Sequence, residues 1–106
     1  MTLDNAKVTN SRTGTVFEIL ELGETRVVMR YTMQPGMQRP DIAKHFHTHW
    51  DEEFQVLEGQ GDYVLGGETG VVKAGETLAM PKGISHIHPW NTGTDVMVMD
   101  LSRIHI

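Results

Sequence analysis

The amino-acid sequence predicts an all-β fold, and three observations carry that prediction. Short apolar or alternating runs recur along the chain, glycine-rich punctuation separates them at close and regular intervals, and no stretch of ten or more residues shows clean helical periodicity. Many short antiparallel strands in a chain of 106 residues must close into a barrel or stack as a sandwich to remove exposed edges.

The elements follow in order. A first strand is expected over 16–20, ending at the turn Leu22-Gly23-Glu24, and a second over 26–33, ending at Gln34-Pro35-Gly36. Strands over 45–49 and 52–57 lead to the turn Glu58-Gly59-Gln60-Gly61. A strand over 62–65 turns at Gly66-Gly67-Glu68 into one over 70–72, which ends at Lys73-Ala74-Gly75-Glu76. The strand over 77–80 stops at Pro81-Lys82-Gly83, that over 86–90 at Asn91-Thr92-Gly93, and a last strand covers 95–101. No strand is assigned before residue 16, and the sequence is compatible with a turn near the N-terminus. No repeat, linker or low-complexity segment interrupts the series, so one domain over 1–106 is expected.

Composition narrows the function classes. An apolar fraction of 39% and a charged fraction of 22% are those of a globular chain and argue against disorder. The seven methionines are expected to fill the core. A net charge of −5 without any lysine or arginine run disfavours binding to nucleic acid or to an anionic membrane, leaving small molecules or proteins as partners. There is no cysteine, so any metal must be held by nitrogen and oxygen donors. Residues 1–7 lack the long apolar stretch expected of a signal peptide and no run approaches membrane-spanning length, so the chain is expected to be cytoplasmic.

Five of the six histidines fall in two clusters: His45, His47 and His49, followed by Glu52 and Glu53, and then His86 with His88. Within each cluster the histidines are two residues apart, a spacing that puts them on one face of an extended strand. A helix would need spacings of three or four. Imidazoles with one carboxylate suit first-row metals such as iron, manganese, nickel, cobalt or zinc, whereas calcium and magnesium prefer all-oxygen shells.

Two stretches resemble the motifs of the cupins. The run His47-Thr48-His49-Trp50-Asp51-Glu52-Glu53-Phe54-Gln55-Val56-Leu57-Glu58-Gly59 is similar to their first motif, and Gly75-Glu76-Thr77-Leu78-Ala79-Met80-Pro81-Lys82-Gly83-Ile84-Ser85-His86 to their second. With flanking strands the resemblance covers about residues 25–101. It implies a double-stranded β-helix, or jelly-roll barrel, enclosing a divalent transition metal. Its implied ligands are His47, His49, one acid of the first motif and His86. Counting back from Gly59 selects Glu52 as that acid, while counting forward from His49 selects Glu53. Strand alternation favours Glu52, which shares a face with Phe54 and Val56. The chain departs from the motifs where Asp41 replaces a glycine and where the asparagine after His86 is displaced to Asn91. The structural role of that asparagine is then expected to pass to another residue.

Similar small cupins imply a mononuclear metalloenzyme acting on a small oxygen-rich substrate, either a dioxygenase or a non-redox isomerase, lyase or decarboxylase. The alternative is a non-catalytic metal- or metabolite-binding module. Glu53 and His88 are the candidate catalytic proton-transfer groups. Trp50 and Trp90 adjoin the motifs as pocket walls or plain packing, and Arg30 and Tyr63 are candidates for binding a substrate anion. A homodimer is the expected assembly, with the N-terminal segment available to a neighbouring sheet.

Overall fold

A computed structural model describes residues 7–40, 45–46 and 50–105, and among these it contains ten strands and no helix. They are β1 (Lys7–Thr9), β2 (Val16–Leu22), β3 (Arg26–Met33), β4 (His45–Phe46) and β5 (Trp50–Glu58). The second half adds β6 (Gln60–Leu65), β7 (Glu68–Lys73), β8 (Thr77–Met80), β9 (Ser85–Trp90) and β10 (Met97–His105). A six-stranded sheet in the order β1-β2-β3-β10-β5-β8 faces a four-stranded sheet in the order β4-β9-β6-β7. Every pairing is antiparallel. Among the described residues no helix is long and apolar enough to cross a membrane.

Alternation along the strands builds the core. On β5, Glu52, Phe54 and Val56 are buried while Glu53, Gln55 and Leu57 are exposed. The registers align the same face across the sheet: Met33, Tyr31 and Met29 of β3 lie opposite Met97, Met99 and Leu101 of β10, and Leu101 lies opposite Phe54. Phe54 in turn faces Leu78, and Glu52 faces Met80. Val72 joins this cluster from the smaller sheet, and Tyr63 and Leu65 pack against it. Each fully buried side chain of this size stabilises the fold by about 1.5–3 kcal/mol. The expectation for the methionines holds where they are described: Met33, Met80, Met97 and Met99 are buried in the cluster and Met29 and Met37 pack on it. A smaller cluster of Val64, Ile87 and Trp90 also touches Met37.

Gly59 shows why a motif glycine stands where it does. It is the single residue between β5 and β6, its φ is +75°, and a Cβ there would come within 2.7 Å of the Val96 carbonyl oxygen. An L side chain is excluded twice over, by backbone conformation and by contact.

Two expectations change. The N-terminal segment forms a strand, β1, paired with its own chain's β2 in a hairpin. Asn10 shapes the turn: its Oδ1 accepts the Arg12 N–H at 2.9 Å and its carbonyl accepts the Gly14 N–H at 2.8 Å. β10 also runs on to His105, four residues past the expected end.

Candidate metal centre

Glu52 is the centre of the site. It faces into the molecule, is only 4% exposed, and lies between β10 and β8, opposite Arg103 on one side and Met80 on the other. His86 is 3% exposed and comes from the opposing sheet, on β9. Its Nε2 is 3.0 Å from Glu52 Oε1. The other carboxylate oxygen, Oε2, accepts two hydrogen bonds from Arg103, from Nε at 3.1 Å and from Nη2 at 3.0 Å. A carboxylate this buried has lost its hydration, and the guanidinium compensates the charge.

The position of β9 is set by its approach. The turn Pro81-Lys82-Gly83 is tied to the start of β5 by the Lys82 N–H, which donates to Asp51 Oδ1 at 2.9 Å, and Gly83 has a φ of +81°. From there His86 enters the interior with Nδ1 3.2 Å from the Ile84 carbonyl oxygen. A carbonyl only accepts, so where that bond is made Nδ1 carries the hydrogen and Nε2 presents a lone pair. That lone pair meets a carboxylate oxygen. Two electron-rich atoms 3.0 Å apart require a cation or a proton between them.

The donor set fits a first-row metal. A backbone carbonyl on the distal imidazole nitrogen is the arrangement that orients a metal-bound histidine. Two adjacent ligands each about 2.0–2.2 Å from one ion stand about 3 Å apart, as Glu52 Oε1 and His86 Nε2 do. His47 and His49 lie outside the described residues, and no group of three or more His, Cys, Asp or Glu suited to a metal occurs among the described residues.

The remaining candidates separate. Glu53 is exposed on the opposite face of β5, in register with Ala79 and Ser102, because successive strand residues alternate. The structure therefore does not bring Glu53 to the Glu52–His86 pair, and its expected part in proton transfer there loses its geometric basis. His88 is half-buried, and its Nδ1 is 2.9 Å from the Pro89 carbonyl oxygen. It lines a cavity of about 340 Å³ together with Tyr31, Phe17, Met33, Met37 and Thr15. His45 lies opposite His86 in the pairing of β4 with β9.

Tyr31 was not among the expected site residues. Its ring stacks edge-on against Phe17 at 4.9 Å and against His88 at 6.5 Å. Burial pushes its phenol above the ordinary value of 10.0, Arg103 opposes that rise and Glu52 adds to it, so Tyr31 feels the charge pair. Arg30 instead pairs with Asp100 through bonds of 2.8 and 3.0 Å. That bond raises the Arg30 pKa, against a smaller opposing effect of burial. Trp90 packs in the smaller cluster, and its Nε1 has no hydrogen-bond partner among the described residues.

Comparison with known proteins places this arrangement. The family model described as Cupin domain matches residues 29–102. The chain belongs to the cupin family. A curated relative from Aquifex aeolicus, an uncharacterized protein, is 29% identical over 87 residues, covering 80% of this chain and 69% of that protein. Among solved structures, the Schizosaccharomyces pombe Cnp3 cupin domain superposes with a TM-score of 0.76 at 15% identity, covering 96% of this chain and 86% of that one. A Thermotoga maritima protein described as a predicted oxalate decarboxylase gives 0.71 at 23% identity, covering 98% and 94%. At such identities the likeness to solved structures is one of fold.

Family membership also explains Asn91. Relative to the cupin second motif it stands one residue late, and β9 absorbs that residue in a bulge: Asp62 faces Trp90 while Val64 faces Ile87, two steps on β6 against three on β9. Asn91 is fully buried, its Nδ2 donates to the carbonyls of Met33 at 3.1 Å and Asp95 at 2.8 Å, and its Oδ1 accepts the Gly93 N–H.

Proposed function

We propose that this cupin binds one divalent transition metal, of the iron, manganese, nickel, cobalt or zinc group, through His47, His49, Glu52 and His86. We propose further that it is a metal-dependent enzyme on a small oxygen-rich substrate, of dioxygenase type or a non-redox isomerase, lyase or decarboxylase. The observation that carries the reading is the buried 3.0 Å approach of His86 Nε2 to Glu52 Oε1, with the other atom of each group already held. Such an ion supplies Lewis acidity toward oxygen atoms of the substrate.

The chain's own residues supply the rest. The cavity of about 340 Å³ is large enough for a small metabolite, and Phe17, Met33 and Met37 give it an apolar stretch of wall. Tyr31 keeps its proton at neutral pH and is a hydrogen-bond donor there. With Nδ1 of His88 donating to the Pro89 carbonyl, its Nε2 is the nitrogen that takes up or delivers a proton, and we assign His88 that role.

The test is a substrate panel. Oxygen uptake by iron-loaded protein is measured with diketones, thiols and catechols, and product formation by protein loaded in turn with manganese, nickel, cobalt and zinc is followed on uronates and sugar acids. Turnover in either arm, lost in His86→Ala, supports the enzyme. Silence in both arms with metal bound points to the non-catalytic binding module.

A further inference from the structure

The guanidinium of Arg103 is placed where an inward-facing residue of a purely apolar strand face would be. Met97, Met99 and Leu101 precede it with the same parity on β10, all buried, and Arg103 is the next in that series. Its partner Glu52 stands directly opposite in the cross-strand register. Both of its hydrogen bonds go to the same oxygen, Oε2, while Oε1 is turned to His86. Arg103 is about one-third exposed, and Glu52 is 3% exposed at the side chain.

We propose that Arg103 is a positioning residue of the metal centre, which occupies Glu52 Oε2 so that the carboxylate offers a metal only Oε1, and which lowers the affinity of the site by acting as a resident competing cation. This rests on the metal-binding reading above. Two physical consequences follow. With Oε2 engaged by a forked donor, the glutamate is confined to a single donor oxygen, as a bidentate grip would have to break two charge-assisted bonds. The guanidinium also repels a dication held by the same carboxylate, and it already neutralises the charge that would otherwise draw one in. Removing it leaves a buried carboxylate that gains more from a metal than it does in the native chain.

The experiment is titration of metal-free protein with cobalt(II), followed by calorimetry and by the visible absorption of the bound ion, for the native chain, Arg103→Lys and Arg103→Met. The expected result is that Arg103→Met binds cobalt(II) about ten-fold more tightly or better, with a shifted absorption band as the carboxylate gains its second oxygen. Arg103→Lys keeps the charge and retains an affinity within about three-fold of the native chain, but shifts the band because an ammonium lacks the fork. Should Arg103→Met fail to fold, Arg103→Gln removes the charge and keeps an N–H donor, and the same tightening is expected of it. Unchanged affinity and an unchanged band in the charge-removing variant would overturn the proposal and leave Arg103 a structural ion-pair partner. Weaker binding there would overturn it as well. A native chain that takes up no cobalt(II) would sink the metal-binding reading itself and the inference with it, an outcome separate from native binding that Arg103 does not influence.

Discussion

Glu52 and Glu53 are neighbours in sequence and opposites in chemistry. One is buried between His86 and Arg103 and the other is exposed, so one step along a strand decides which carboxylate belongs to the site. Glu52→Gln is expected to lower divalent-metal affinity by about 100-fold or more. Glu53→Gln leaves it within about two-fold, as befits a surface change. Calorimetric titration of both variants checks the pair. Tyr31 gives a pH prediction. Its folded pKa is raised, so the unfolded chain releases the phenolic proton first. The stabilisation is whole below about pH 10, the unfolded value, and is lost as pH rises toward the higher folded value. In Tyr31→Phe that alkaline loss is expected to shrink, as read from urea midpoints at pH 8 to 11.5. At this scale alternation put Glu52 on the inward face, where it is buried, and the second motif singled out His86, which approaches it. The sequence did not disclose Arg103, whose partner is 51 positions away and is set by strand register. Nor did it rank Tyr31 over Arg30, a distinction that depends on which face of β3 turns inward.

The strands explain which parts of the fold were readable. β3 and β8 have the expected bounds because their apolar alternation is flanked by glycine or proline turns. β1 escaped because Lys7, Val8 and Thr9 are all exposed, so no buried face wrote a period into the sequence. The end of β10 was missed because the inward charge of Arg103 breaks an apolar rhythm that the strand itself continues. The hairpin between β5 and β6 provides a prediction at this scale. Gly59→Ala forces a Cβ against the Val96 carbonyl and holds alanine at a φ of +75°, and is expected to cost about 1–3 kcal/mol. Phe54→Ala, at the meeting point of β5, β10 and β8, is expected to cost about 3–5 kcal/mol. Denaturant unfolding of each against the native chain measures both, and a Gly59→Ala protein as stable as the native one would remove the argument for that motif glycine.

The two sheets matter to function because they bring together residues that no local segment could. Glu52 and Arg103 come from the larger sheet, His86 and His88 from the smaller, and the core cluster draws Val72 across to fix their spacing. The motif resemblance carried this closure before the structure did, since it implied a barrel from two stretches that the β6–β7 hairpin separates. We propose that the molecule unfolds as one domain and pairs as a homodimer. Edge strand β1 and the exposed Val8, Leu20 and Leu22 on the β1–β2 hairpin support the pairing. Light scattering after size exclusion is expected to give twice the 11.9 kDa chain mass, and a monomer at micromolar concentration would refute the dimer. In the proposed site the Glu52–His86 pair is half of a metal centre completed by His47 and His49. Metal analysis of protein purified without chelators, for the native chain beside His47→Ala and His86→Ala, tests it most directly. The account predicts about one equivalent of transition metal per native chain and a marked deficit in both variants, whereas full stoichiometric metal retained by both would contradict it.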